Sequence, residues 1–223
     1  MSLAALLLDV DNTLVDRAAA YEQYADRLIA AAGVPADRRA ELIAIDQGCY
    51  RPRRLWAPAT LAALPELGWS VDQLRADFES VLPTLLPEPA ALKELLARLR
   101  PHVRLVACTN GPSGLQRAKL AATGLDTLLD GIVVSGELGR DKPDRAMFDA
   151  ALHAAGCTPD TALMVGDNPR EDIAGAQAIG LRGVWVDAPW RRFVGPPPDG
   201  LEPHIVVPDT ASFLARLAGA PLA

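Results

Sequence analysis

Leu3-Ala4-Ala5-Leu6-Leu7-Leu8-Asp9-Val10-Asp11-Asn12-Thr13-Leu14-Val15-Asp16 is the stretch on which the fold turns. From Leu3 to Leu8 the residues are apolar without alternation, as in a strand buried on both faces, and the run stops on a carboxylate. A second carboxylate follows two positions later. Acids beside a buried strand are costly unless a cation or several hydrogen bonds meet them, so Asp9 and Asp11 are candidate site residues. The ordinary alternative is a capped turn. No basic leader precedes the run and Asp9 cuts it short, so the start reads as a strand and not as a signal peptide.

Similar runs recur at Val103–Cys108, Gly131–Val134, Ala162–Val165 and Gly183–Val186, with helical patterning at Gly114–Ala122, Asp144–Ala155 and Asp172–Ile179. Strands alternating with helices predict an α/β fold, a doubly wound, Rossmann-like parallel sheet. Residues 16–87 break the rhythm. They hold no strand pattern and read as helices punctuated at Gly33-Val34-Pro35, Pro58, Pro65 and Gly68, an inserted all-helical cap subdomain. The expected division is therefore a catalytic core of 1–15 and 88–223 with a cap of 16–87. Gly195-Pro196-Pro197-Pro198-Asp199-Gly200 is expected to be a stiff connector before a last strand at His204–Val207 and a helix at Ala211–Leu217.

In such a sheet, functional groups gather at the carboxyl edge of the strands. Asp9, Thr109 and Asp167 each follow a predicted strand, so they are expected to converge. A hard divalent ion such as magnesium takes oxygen ligands from one or two carboxylates, and Gly166-Asp167-Asn168-Pro169-Arg170-Glu171-Asp172 supplies further acids. Thr109-Asn110-Gly111 is read as opening a helix, where a hydroxyl and free N–H groups hold phosphate oxygens. Lys142 stands out because the chain has three lysines against nineteen arginines. Its ammonium is a point charge suited to offsetting an anionic cluster.

Composition narrows the partners. A formal charge of −6 gives no broad positive field for nucleic acid or an anionic membrane, so the expected partner is a small molecule. No apolar stretch approaches the roughly 20 residues of a membrane helix. Cys49, Cys108 and Cys157 are too few and too scattered for a disulfide framework, which points to the cytoplasm, and they read as small buried apolar groups. His102, His153 and His204 have no ligand spacing. Sequence leaves monomer and homodimer both open.

Asp-x-Asp-x-Thr, Thr-Asn-Gly, Lys-Pro and Gly-Asp-x-x-x-x-Asp, in this order and each beside a suitable strand or helix, resemble the haloacid dehalogenase-like superfamily, in particular its phosphatases with a helical cap of the C1 type. The resemblance runs from Leu3 to about Asp187. It implies a magnesium-dependent phosphohydrolase that cleaves a small-molecule phosphomonoester through an aspartyl phosphate. Asp9 would be the nucleophile and Asp11 the general acid and then base, which can carry a proton if its surroundings raise its pKa. Magnesium would be held by Asp9, the backbone carbonyl of Asp11 and Asp167. Thr109, with Asn110, would bind phosphoryl oxygens, Lys142 would balance charge, and Asp172 would position Lys142 or a metal-bound water.

The resemblance also orders the alternatives. A dehalogenase has no need of Asp11, and a phosphonate hydrolase needs a cap lysine, whereas Lys93, Lys119 and Lys142 all lie outside the cap. A phosphomutase differs mainly in whether a second sugar hydroxyl outcompetes water. A non-catalytic phosphate-sensing protein would gain nothing from Asp11. Within the cap, Arg51, Arg53, Arg54 and Trp56, in Tyr50-Arg51-Pro52-Arg53-Arg54-Leu55-Trp56, are candidate contacts to an anionic or planar leaving group, with Arg51 and Arg54 foremost. Arg17, Tyr21 and Tyr24 are expected to pack in the cap core.

Overall fold

The computed structural model of the chain describes residues 3–187 and 197–219. Strand β1 (Ala5–Leu8) is followed by helices α1 (Arg17–Ala32), α2 (Arg39–Asp46), α3 (Arg53–Ala63) and α4 (Val71–Val81), with no strand between them. Then come α5 (Ala90–Leu99), β2 (Arg104–Thr109), α6 (Ser113–Ala122), β3 (Gly131–Val134), the single turn α7 (Ser135–Leu138) and α8 (Arg145–Ala155). β4 (Ala162–Gly166), α9 (Gly175–Gln177), β5 (Arg182–Val186), β6 (Ile205–Val207) and α10 (Thr210–Leu217) complete the described order.

The strands form one parallel sheet in the order β3-β2-β1-β4-β5-β6. The unalternating apolar run of β1 now has its reason. Leu6 and Leu8 enter one apolar cluster with α5 and α10, while Ala5 and Leu7 enter another with α8, so both faces are covered. Because β1 lies between β2 and β4, the chain winds away from it in two directions. That switch point is where a crevice opens at the carboxyl edge.

The helices between β1 and β2 enclose an apolar cluster of their own, built on Tyr21, Tyr24, Leu28, Trp56, Leu74 and Phe78. Asp16 caps α1 by accepting from the Ala19 N–H at 2.9 Å, and Gly33, with φ of 65°, ends it in the left-handed conformation. Pro58 was expected to interrupt a helix, yet it lies inside α3. Its side is exposed, so water can meet the carbonyl that lacks its usual partner. Thr109 ends β2 instead of opening a helix, and α6 begins only at Ser113. The helix expected from Asp172 starts earlier, as a π-helical turn at Pro169–Ala174 that runs into the short α9. Of the expected proline connector, residues 195 and 196 lie outside the described residues. Among the described residues no helix is long and apolar enough to cross a membrane.

Arg17 departs from simple packing. It is fully buried with both terminal nitrogens on the Asp46 carboxylate, Nη2 at 2.6 Å from Oδ1, and its guanidinium lies 4.9 Å from the Tyr21 ring centre. The same carboxylate accepts from the Cys49 N–H at 3.0 Å and so shapes the bend after α2. Two buried charges of this kind are costly singly and tolerable as a pair. Asp46→Ala should therefore destabilise the protein by about 3 kcal/mol or more, read as a lower urea midpoint. An unchanged midpoint would contradict the pair's structural role.

Candidate functional site

The parallel register delivers the predicted acids to one place. Leu8 pairs with Ala107 on one side and Val165 on the other, so Asp9 emerges between the ends of β2 and β4, and its N–H donates to the Val165 carbonyl at 2.9 Å. Oxygens of Asp9, Asp167 and Asp172 all lie within 4.8 Å of one another, and all three residues are buried. Lys142 Nζ donates to Asp9 Oδ1 at 2.7 Å and to Asp172 Oδ1 at 2.6 Å. Asp172 is held further by the Asn168 N–H at 2.9 Å. Gly166 leaves the room for it, since a Cβ there would stand 2.6 Å from the Asp172 Cβ.

Electrostatics follow from burial. Loss of hydration, then the Asp172 and Asp11 charges, push the Asp9 carboxyl up to about 7 against the pull of Lys142. Burial, then the charges of Asp9 and Asp172, carry Asp167 well above the usual carboxylate range. Burial also acts to lower Lys142, but Asp172 and Asp9 outweigh it and hold the ammonium well above its ordinary value. Three acids against one ammonium leave negative charge uncompensated. A hard divalent cation fits this set of oxygens, and its charge would return the carboxylates to their ionised form.

Asp11 differs from expectation. Its carboxylate, partly buried, accepts from Lys119 Nζ at 2.6 and 2.8 Å and from Gln116 Nε2 at 3.2 Å. Burial alone would raise its pKa, but the Lys119 charge, then Arg17, lower it instead. The surroundings thus keep Asp11 ionised. Lys119 was set aside in the sequence because α6 lies outside the cap. Its side chain is fully buried and its ammonium reaches the crevice, completing its donors on Gln116 Oε1 at 2.7 Å. Gln116 also donates to Thr109 Oγ1 at 2.6 Å, so Thr109, Gln116, Lys119 and Asp11 form one network. Asn110 bridges from the other side, accepting from the Lys142 N–H at 2.7 Å and donating to its carbonyl and to Glu171 Oε2, each at 3.0 Å.

A cavity of about 460 Å³ joins these groups to the cap segment 48–54. Arg51 and Arg54 line it, as does Arg53. Trp56 does not. It is buried in the cap core, 4.7 Å from the Phe78 ring centre, with its indole N–H on Tyr21 Oη at 3.0 Å. Tyr50 lines the wall and donates its hydroxyl to Asp167; burial, then the Asp167 charge, keep that hydroxyl protonated. Cys49 is not the buried apolar group expected. It is partly exposed in the cavity, with Sγ 3.9 Å from Asp11 Oδ2, and burial keeps its thiol protonated. Asn12, with φ of 56°, ties the loop after β1 to this segment by donating to the Gly48 carbonyl at 2.9 Å.

Residues missed in the sequence are Tyr50, Cys49, Gln116, Lys119 and Glu171. Gln116 and Lys119 carried a usable signal, since a spacing of three on a helix places both on one face.

Comparison with known proteins agrees with this geometry. A family model described as haloacid dehalogenase-like hydrolase matches residues 3–180. The phosphoserine phosphatase of Thermus thermophilus is 45% identical over 103 residues, 46% of this chain and 41% of that protein. The pyrimidine 5′-nucleotidase YjjG of Escherichia coli is 40% identical over 119 residues, 52% of this chain and 50% of that protein. The chain thus spans about half the length, or less, of these two relatives. A crystal structure of the HAD-type hydrolase YfnB of Bacillus subtilis, bound to magnesium, superposes with a TM-score of 0.79 at 25% identity, covering 98% of this chain and 99% of that one. On a family match that takes in the whole stretch from β1 through the second acidic motif, the chain belongs to the haloacid dehalogenase-like hydrolases.

Proposed function

We propose that this chain is a magnesium-dependent phosphohydrolase of the cytoplasm, acting as a monomer or homodimer on a small phosphomonoester through an aspartyl phosphate on Asp9. One observation carries the reading: the buried Asp9 carboxylate stands among Asp167, Asp172 and Lys142, where one ammonium falls short of the acids around it. Its relatives' names agree with it, since the two reported above are a phosphatase and a nucleotidase. So does the magnesium of the YfnB structure. In this reading residues 1–15 and 88–223 are the catalytic core and 16–87 the cap.

Asp9, the Asp11 carbonyl and Asp167 would hold the ion, with Asp172 beside them. When bound, it supplies positive charge at the phosphoryl oxygens and keeps the neighbouring carboxylates ionised. An Asp9 oxygen attacks phosphorus, the ester P–O bond breaks, and the leaving oxygen takes a proton from Asp11. Asp11 then removes a proton from water, the resulting hydroxide attacks phosphorus, and the Asp9–phosphorus bond breaks to release phosphate. Thr109 and Asn110 bind phosphoryl oxygens, and Lys142 offsets the charge that builds on them. The Lys119 pairing leaves Asp11 without its proton, the state from which its second task starts, but it lowers the basicity of the carboxylate. For the first, the contact to Lys119 must yield so that the carboxyl can carry a proton. Arg51 and Arg54 face the leaving group.

Asp9→Asn should lower phosphate release from p-nitrophenyl phosphate by at least about 10⁴-fold, and chelation of divalent ions should abolish release in the parent protein until magnesium is restored. Full activity in the variant would refute the nucleophile. Gly166→Ala tests the arrangement without touching an acid. By forcing Asp172 away from Lys142 it should reduce kcat by about 10²-fold, and an unaltered kcat would show that Lys142 needs no such anchor.

A further inference from the structure

We propose that the leaving group of the substrate carries a second acidic group, a carboxylate or a second phosphate, and that the cap cations Arg51, Arg53 and Arg54 receive it. This rests on the phosphohydrolase reading and names the substrate class for it.

Charges around the cavity are paired on the core side and less fully paired on the cap side. Lys142 is taken by Asp9 and Asp172, and Lys119 by Asp11. In the cap, Asp46 is engaged at both oxygens by Arg17, and Arg53 pairs with it more loosely at 3.7 Å while donating to Cys49 Sγ at 3.3 Å. Arg51 and Arg54 have no acidic partner among the described residues. Arg17 and Arg75, which do not line the cavity, each have a buried nitrogen with no hydrogen-bond acceptor, and so do two of the three arginines that line it, at Nε of Arg51 and Nη1 of Arg53. A buried donor without an acceptor costs about 1–3 kcal/mol and more when it is charged, so an acceptor from outside the chain is what these groups lack.

The backbone points the same way. α3 begins at Arg53 with Pro52 before it, no side-chain cap and no acid in its first turn. Its free N–H groups and partial positive charge therefore add to the three arginines, and Pro52, Arg53 and Arg54 all line the cavity. Lys142 and the acids proposed to hold the metal line the core side of the same cavity. What the cap meets is the group attached to the phosphoryl oxygen.

The cavity lining also tells against a planar base. Tyr50 is the one aromatic side chain lining it among the described residues, and its hydroxyl is fixed on Asp167. Trp56 is withdrawn into the cap core. A volume of about 460 Å³ suits a small acid and its phosphate together.

The test compares 2-phosphoglycolate and ethylene glycol bisphosphate with 2-phosphoglycolamide, ethyl phosphate and phosphoethanolamine. The expected result is a kcat/KM at least about 10²-fold higher for one or both acid-bearing substrates than for the neutral and cationic ones. Whichever acid is preferred identifies the source of the second charge. Arg51→Gln and Arg54→Gln should reduce that preference to a few-fold, mainly through KM. Equal kcat/KM across the panel, with turnover still dependent on Asp9, overturns this inference and leaves the phosphohydrolase standing. An Arg51→Gln variant that loses equally on charged and neutral substrates also overturns it, because the arginine would then serve the transferred phosphoryl group. If no phosphomonoester is turned over, the functional reading itself fails. Calorimetric binding to Asp9→Asn then still decides the present inference: tighter binding of 2-phosphoglycolate than of its amide supports it, and equal binding overturns it.

Discussion

Lys142 stands between Asp9 and Asp172 in a space from which the sheet and its helices exclude most water, and the shortage of positive charge there governs the rest of the site. One ammonium cannot neutralise three buried acids. Burial drives Asp9, Asp167 and Asp172 upward, so the arrangement is poised to accept a cation and does not satisfy itself. The supporting residues make sense as means of holding this imbalance in place. Gly166 has no side chain because Asp172 occupies the position of one. Asn110 grips both the N–H and the carbonyl of Lys142, which fixes the start of the lysine side chain while its ammonium is pulled by two carboxylates.

The cap completes the enclosure through a different charge pair. Asp46, locked to Arg17, organises residues 47–50, where Gln47, Gly48 and Cys49 all take positive φ. That bend carries Tyr50 onto Asp167 and Gly48 onto Asn12, so cap and the loop after β1 meet through polar contacts at the site itself. The apolar clusters of the inserted helices and the sheet meet at Leu86, which packs against both, and Leu115 of α6 enters the cluster of the inserted helices, so the two parts are joined by apolar packing as well as by these polar contacts.

Much of this was legible in the sequence because it is local. Each strand announced itself as a short apolar run, and the helical stretch of 17–85 as a region without one. The carboxylates were legible because Asp9 and Asp167 each follow such a run, and parallel pairing then brings them together. The environment of Asp11 was not, because it depends on which way helix α6 turns. Lys119 is as uncommon in this chain as Lys142, and its spacing from Gln116 marks a shared face, but only tertiary packing aims that face at the crevice. Trp56 and Arg53, three residues apart, illustrate the same limit. One fills the cap core and the other lines the cavity, with the guanidinium 4.5 Å from the Phe78 ring centre. No periodicity distinguishes an aromatic that packs from one that meets a ligand.

The Thr109–Gln116–Lys119–Asp11 network ties Asp11, proposed above as the acid and base, to helix α6 of the core. Every direct donor to the Asp11 carboxylate apart from the distant Cys49 thiol comes from α6. The same Gln116 that steadies Asp11 donates to Thr109, on the phosphoryl side of the site. Because Thr109 accepts from Gln116, donation of its own hydroxyl hydrogen to a ligand leaves the Gln116 contact in place, and a chain of hydrogen bonds then connects that ligand to Asp11 through one face of α6.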